Sequence, residues 1–359
     1  MNRRFLYMLV KASPKRGSYT LHRTNLSRLF YPKDSPERAA AAAVAAGAAR
    51  AATSEAAPLE RPVEDARLPP PTATFRCYST DLPHFALLGR NKNKILVVDQ
   101  NETVGRALLY TDASRSCSIQ LLRSVRGLKK EPFSVALGDS LYLMEGKPQG
   151  DQKKKSKYAA TVEALHPGGE DSCWWTNDPP PPPPYAARKG GMSGEVTAYA
   201  AVGESSIWVS TGSHGTLALD WAWRRWSMVG DWALPFEGRA EHVPEHGGIW
   251  FGFSASGLLH AWDLRADGGP AARRTCGHVA DMAEGVVVGS EVAHLGDGRL
   301  CVARLFEVKQ EGSSEEASRV FAMFTGVEVE DAGDGVLHLV GHKSYRYSLG
   351  VGNSAQFLL

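Results

Sequence analysis

Short apolar runs alternate with polar turns along most of the chain from residue 84 onward. The runs are four to eight residues long, rich in Val, Ile, Leu and aromatic residues, and bounded by Gly, Asp, Ser or Pro. This pattern indicates β-strands rather than amphipathic helices. The sequence therefore predicts strands at 94–98, 108–112, 141–144, 158–163, 207–210, 216–220, 249–252, 259–263, 300–307, 336–340 and 344–348.

One unit recurs through this region. It consists of a strand, a turn and a second strand that carries an acidic or aromatic residue. The recurring residues are 112, 163, 220, 263, 307 and 347, so neighbouring copies lie 40 to 57 residues apart. A repeat of about 40–50 residues built from strands is typical of a β-propeller blade. The spacing predicts an all-β propeller of six or seven four-stranded blades.

The N-terminal residues 1–37 are expected to form a hairpin that joins the propeller. Phe5–Val10 is an apolar run, and Tyr19–Arg23 alternates apolar and polar residues. The Ser-Pro-Lys-Arg-Gly sequence at 13–17 is typical of a turn between two strands.

Residues 38–72 have a different composition, rich first in Ala and then in Pro, Glu and Arg. Because this segment has few large apolar side chains to bury, burial does not offset the conformational entropy lost on ordering. We therefore expect a disordered or loosely helical low-complexity insertion. The propeller blades then occupy residues 73–359, with flexible loops at 146–157 and 176–193.

The charge balance bears on the class of partner. Lys and Arg number 41 and Asp and Glu number 39, which leaves a formal net charge of +2. A nearly neutral chain provides no general field for nucleic acid or an anionic membrane, so neither partner is expected. No run of 18 apolar residues is present to predict a membrane-spanning helix.

The five cysteines are widely spaced and form no Cys-x-x-Cys pair. This usage suits a reducing compartment, so the cytoplasm or the nucleus is expected. The alternative is import into an organelle, because the residues before the first acid, Asp34, are basic and rich in Ser.

One blade resembles a kelch repeat, in which a Gly-rich turn follows the second strand and a tryptophan marks the fourth. Gly212 and Gly215 occupy the turn after the strand at 207–210, and Trp226 follows the next strand. The single Trp262-Asp263 dipeptide has no Gly-His upstream, so it does not indicate WD repeats.

Nearly the whole chain, apart from the Ala/Pro insertion and the polyproline loop, resembles a plant family expanded in grasses and described only as a domain of unknown function. The resemblance implies a kelch-like propeller and brings no catalytic residues. The stretches that carry it are Met1–Leu6, Ser18–Arg23, Leu29–Pro32, Lys94–Asp99, Leu109–Tyr110 and Pro132–Met144.

Two runs are candidates for partner binding. The first is basic and suits a nuclear-import signal, a phosphate-binding patch or a plain solvated loop; it contains Lys153, Lys154, Lys155 and Lys157. The second favours polyproline II, which an SH3-, WW- or profilin-type groove can read, or which serves as a stiff spacer. Its members are Pro179, Pro180, Pro181, Pro182, Pro183 and Pro184.

A metal or cofactor site is not expected. His242, His246, Cys276 and His278 carry nitrogen and sulfur ligands, but Pro244 and the following glycines favour a loop over the helix that would align the two histidines. The tryptophans at 221, 223 and 226 have two interpretations, packing between blades or an exposed aromatic binding surface.

Two functional hypotheses follow. The first is a monomeric scaffold whose rim loops hold an unidentified protein partner, without catalysis. The second is an enzyme with an active site in the central propeller channel, where His, Asp, Glu or Tyr side chains from different blades would converge. Nothing in the spacing names catalytic residues.

Overall fold

The computed structural model describes most of the chain. The described residues are 4–11, 17–50, 63–78, 83–89, 91–100, 105–112, 117–126, 129–147, 162–168, 173–186, 194–276, 279, 282, 285–309, 318–331, 333 and 335–358, without the side chains of 48–50. Within them the fold is all-β, with several sheets and one α-helix, consistent with a β-propeller-like fold. No helix in these residues is long and apolar enough to cross a membrane.

The chain divides into two compact units. The middle unit is Cys77–Ala240, and the split unit combines Met1–Arg76 with Glu241–Leu359.

Three groups of four antiparallel strands, each in chain order, form the middle unit; the first two are four-stranded sheets and the third is part of a larger sheet. The first sheet is β5 (His84–Leu88), β6 (Lys94–Gln100), β7 (Gly105–Asp112) and β8 (Cys117–Leu122). The second is β9 (Pro132–Leu137), β10 (Ser140–Glu145), β11 (Glu163–Pro167) and β12 (Cys173–Trp175). The third is β13 (Val196–Val202), β14 (Ser206–Thr211), β15 (Gly215–Asp220) and β16 (Arg225–Gly230).

The second sheet is buried on both faces, which explains why its central strand reads as an unbroken apolar run. Alternate residues of a strand point to opposite faces. Leu141 and Leu143 pack into one core with residues of the first sheet, whereas Tyr142 and Met144 pack into another with residues of the third sheet. Each fully buried side chain of this size contributes about 1.5–3 kcal/mol.

A glycine is required at the β14–β15 hairpin. Gly215 has φ 66°, and a Cβ there would lie 2.4 Å from the carbonyl oxygen of Gly230. Buried hydroxyls stabilise the same hairpin, since Ser210 Oγ lies 2.6 Å from Thr216 Oγ1, which donates to Trp232 O.

The strands of the split unit come from both ends of the sequence. One sheet has the order β26-β1-β2-β4 and another the order β21-β25-β24-β23-β22 with β3 beside β25. The strands up to β21 are β1 (Phe5–Lys11), β2 (Ser18–Asn25), β3 (Val63–Ala66), β4 (Ala73–Arg76), β18 (Ile249–Phe253), β19 (Leu259–Asp263), β20 (Ala271–Arg273) and β21 (Thr275–Cys276). The later strands are β22 (Val286–Gly296), β23 (Arg299–Lys309), β24 (Ser318–Asp331), β25 (Leu337–Val351) and β26 (Ser354–Leu358).

The remaining elements connect these sheets. The chain crosses from the middle unit to the split unit within β17 (Glu237–Val243), whose Gly238 pairs in parallel with Ala198 of β13. The 3-10 turns are Leu26–Leu29, Pro184–Ala186 and Pro244–His246, and the helix is α1 (Pro36–Arg50). β1 and β2 form the predicted antiparallel hairpin, and β1 also pairs with the last strand, β26.

The sequence repeat follows the groups of four strands but counts the group β22–β25 twice. Asp112, Glu163 and Asp220 lie on β7, β11 and β15, the third strands of successive sheets. Glu307 and Tyr347, however, lie on β23 and β25 of a single sheet.

Two strand predictions need correction. The strands expected at 336–340 and 344–348 are one continuous strand, β25, because Gly341 and His342 between them stay buried and extended. The strand expected at 158–163 begins only at Glu163, and its residues 158–161 lie outside the described residues.

Over helix α1 the insertion takes the helical form, one of the two forms expected for it. Ala41 and Ala45, one turn apart, are buried against Val340 of β25. Arg38 Nε lies 2.9 Å from Glu328 and its Nη2 lies 2.7 Å from Glu330. Two alanine methyls and two ion pairs therefore hold a helix whose sequence has no strong apolar face.

The rest of the insertion is also partly built into sheets. β3 pairs in parallel with β25, and β4, which begins one residue after the insertion, pairs with β2. Residues 51–62 lie outside the described residues.

Candidate functional site

The polyproline segment follows β12 and lies on the surface of the middle unit. Proline fixes φ near −65° and keeps the preceding residue extended, so consecutive prolines form polyproline II with three residues per turn. The burial of this segment has that period. Pro180 and Pro183 are buried, Pro181, Pro182 and Pro184 are exposed, and Pro179 is half-buried. One edge of the helix therefore faces the protein and two edges face outward.

Trp226 and Tyr185 hold the segment on the protein surface. Trp226 Nε1 donates a hydrogen bond to Pro181 O at 3.0 Å. The Tyr185 ring, 2% exposed, meets the Trp226 ring edge-on at 6.0 Å. Its hydroxyl donates to Glu145 O at 3.3 Å, and burial, followed by the nearby Glu145 charge, raises the pKa of Tyr185. Indole donation to a prolyl carbonyl resembles the way aromatic grooves bind such helices.

The N-terminal end of the segment is held by an ion pair. Asp178 binds Arg224, whose guanidinium carbon lies 6.0 Å from the Trp221 ring centroid. Arg224 occupies a left-handed position, φ 50°, in the β15–β16 turn. Thr176 N donates to Ala164 O at 2.8 Å and continues the sheet for one more residue.

Part of the expected flexible loop at 176–193 is buried, namely Thr176, Pro180, Pro183 and Tyr185. This burial follows from the match between a three-residue period of prolines and a surface from which Trp226 reaches Pro181 O. Residues 187–193 lie outside the described residues.

An aromatic cluster adjoins the Arg224 end of this segment. The His166 ring lies 4.9 Å from Trp174 and 5.8 Å from Trp221, and Trp221 contacts Tyr142 edge-on at 4.6 Å. Ser140 Oγ lies 2.8 Å from His166 Nδ1. Burial, followed by the charge of Arg224, lowers the pKa of His166, so its imidazole is neutral near pH 7 and serves as a hydrogen-bond partner among the rings.

The three tryptophans at 221, 223 and 226 divide between the two interpretations. Trp221 and Trp226 are half-buried and pack against the core of the second and third sheets. Trp223 is 75% exposed. Trp174 is 53% exposed. It was not among the candidates from the sequence, because only the structure shows that this apolar side chain is exposed.

The basic candidate residues Lys153, Lys154, Lys155 and Lys157 lie outside the described residues. Of the expected flexible loop at 146–157, only Gly146 and Lys147 are described. The Lys147 ammonium lies 3.2 Å from Glu195 and 3.7 Å from Glu131, so this end of the loop is tied to its surroundings by exposed ion pairs.

The histidines considered as metal ligands lie in the split unit. His242 stacks on Trp250 with 4.5 Å between ring centroids, and burial and the charge of Arg265 lower its pKa. His246 ends the 3-10 turn Pro244–His246, as the proline predicts. Cys276 is half-buried in β21, and His278 lies outside the described residues. Within the described chain no three His, Cys, Asp or Glu side chains are placed to hold a metal ion.

A buried ion pair supports the face of the second sheet in the middle unit. Glu163 Oε1 lies 3.0 Å from Lys129 Nζ, with side-chain exposures of 2% and 0%. The same oxygen accepts from Arg126 N at 2.7 Å. The acid that marks this repeat in the sequence is thus a structural anchor for Arg126 and Lys129.

Comparison with known proteins gives a family and no activity. None of the curated proteins matches this chain. Among solved structures, a crystal structure of a protein from Lactobacillus plantarum is 12% identical, with a TM-score of 0.44, and the match covers 99% of this chain and 100% of that chain. One family model, described as a protein of unknown function, matches residues 3–347. Because that match spans nearly the whole chain, the chain belongs to the DUF1668 family of proteins of unknown function.

Proposed function

We propose that this chain is a protein-interaction scaffold: a kelch-like β-propeller that presents its polyproline segment to an aromatic groove on a partner protein. The observation that carries the proposal is the three-residue burial period of the segment, with one edge on the protein and two edges outward.

Six groups of strands among the described residues support six blades. Five are the groups β5–β8, β9–β12, β13–β16, β17–β20 and β22–β25. The sixth would be shared by both ends of the chain, since β26 pairs with β1 beside β2 and β4. The glycine turn at Gly215 and the tryptophan at 226 support the kelch-like character of the third of these groups.

The outward edges have the geometry that a proline-reading groove needs. Such grooves are lined by aromatic rings and dock a preformed polyproline II helix along its side. Pro181 and Pro182 lie on the two outward edges, Pro184 is exposed where the segment enters the 3-10 turn Pro184–Ala186, and Pro179 is half-buried. Because Trp226 and Tyr185 already hold the segment, little conformational entropy is lost on binding, which favours affinity.

The test is a calorimetric titration of the whole chain with purified profilin, SH3 and WW modules. We expect at least one module to bind, and the Pro181→Ala/Pro184→Ala variant to abolish that binding. The matched control is Pro70→Ala/Pro71→Ala, which changes two exposed prolines elsewhere in the chain and is expected to bind like the unaltered protein. The proposal is wrong if no module binds, or if both variants bind equally.

We further propose a monomer of the cytoplasm or nucleus, from a plant family, with import into an organelle as the alternative location. All five cysteines are free, which is in keeping with a reducing compartment. The basic run at 153–157 remains a second candidate for partner binding.

A further inference from the structure

The residues that flank the prolines restrict the kind of groove that fits them. Proline-reading modules differ in what they require beside the prolines, and that difference creates specificity. The flanking residues are Asp178 on the N-terminal side and Tyr185 on the C-terminal side.

Tyr185 completes a Pro-Pro-x-Tyr order at 182–185, but the fold hides the tyrosine. A WW-type groove that reads this order takes the tyrosine ring into a slot of its own. In the folded chain the Tyr185 ring is 2% exposed, packs against Trp226 and donates its hydroxyl to Glu145 O. A module that needs this ring can bind it only after the ring has left the core between the second and third sheets.

Asp178 excludes a different module. An SH3-type groove adds an acidic slot for an Arg or Lys just outside the prolines. The position before the prolines carries a carboxylate, which is itself paired with Arg224, and the position after them carries Tyr185. Like charge at such a slot works against binding.

We infer that the partner's groove reads the two outward proline edges alone, as a profilin-type groove does, and not a flanking tyrosine or basic residue. This inference rests on the proposed function. The geometry that carries it is the exposure of Pro181, Pro182 and Pro184 together with the burial of Tyr185.

The experiment compares the whole chain with a synthetic peptide of residues 177–186, using a purified profilin, a WW domain that binds Pro-Pro-x-Tyr peptides and an SH3 domain. Dissociation constants are measured by calorimetry. The peptide shows what each module does when the tyrosine is free, and the whole chain shows what it does when the tyrosine is buried.

We expect profilin to bind chain and peptide within tenfold of each other. We expect the WW domain to bind the peptide and to bind the chain about 100-fold more weakly, as for a site that is open in about 1% of molecules. Binding of the WW or SH3 domain to the whole chain as tightly as profilin would overturn the inference and leave the proposed function standing. If profilin binds the peptide and no module binds the chain, the proposed function itself is wrong.

Discussion

Replacing Glu163 by Gln should strongly destabilise the middle unit. The substitution preserves shape but leaves the Lys129 ammonium, 0% exposed, without its counter-ion at 3.0 Å. Arg123 Nη1, 3.5 Å from the same carboxylate, loses its ionic partner as well but keeps its hydrogen bond to Ser124 O.

The expected cost follows from that burial. Removing one partner of a buried ion pair typically costs about 3–5 kcal/mol, because the remaining charge is neither solvated nor paired. Native domains are stable by about 5–15 kcal/mol, so the change takes a large share of the total. For a unit of this size, the melting temperature should fall by roughly 6–20 °C.

The assay is urea unfolding followed by tryptophan fluorescence, with the unfolding midpoint as the readout. The matched control is Glu195→Gln, which removes the partner of the exposed Lys147 and should not shift the midpoint measurably, because exposed ion pairs contribute little.

A second variant separates charge from packing. Glu163→Leu combined with Lys129→Met removes both charges and should recover most of the lost stability, since apolar replacements of buried pairs are often neutral. Equal midpoints for Glu163→Gln and Glu195→Gln would refute the buried-pair reasoning.

Three further changes test other parts of the fold. Burial lowers the pKa of His84 to about 4 from an ordinary 6.5, so its contribution to stability is present above pH 6.5 and is lost, by about 3 kcal/mol, as the pH falls to 4. In His84→Asn, the free energy of unfolding should fall less steeply between pH 7 and pH 4 than in the unaltered protein. An unchanged dependence on pH would contradict the assignment. Arg38→Ala removes both ion pairs of α1, so amides 37–47 should exchange with deuterium faster than in the exposed control Glu37→Gln; equal exchange would show that the alanine contacts hold α1 alone. Gly215→Ala should cost at least about 1–3 kcal/mol for its left-handed backbone, whereas Gly212→Ala, with open space around it, should cost less, and the reverse order by thermal unfolding would contradict the hairpin geometry.

The local sequence pattern was sufficient to predict most strands, because each apolar run and the turn residues that bound it lie close together in sequence. The run at 141–144 is apolar on both faces, so any strand placed there must be covered on both sides. The break predicted between the strands at 336–340 and 344–348 was wrong because Gly341 and His342 have the residue types of a turn. Their burial within β25 depends on neighbouring strands that lie elsewhere in the sequence.

What helix α1 and the polyproline segment pack against was beyond reach of the sequence alone. An Ala-rich stretch gives no sign of what covers it, and the residue that does, Val340, comes almost 300 residues later in the chain. Six identical prolines cannot reveal which edge is buried. That choice is made by Trp226, which reaches Pro181 O from another strand.

Nitrogen-15 labelling of tryptophan tests the central claim most directly, because the claim is that the partner takes the outward edges while the inner edge stays on the protein. The Trp226 indole signal is assigned by its loss in Trp226→Phe, and its solvent exchange is measured before and after profilin is added. We expect this N–H to exchange no faster in the complex than in the free protein, because it still donates to Pro181 O. An indole that becomes freely exchanging on binding would show that the segment leaves the surface, and would contradict the account.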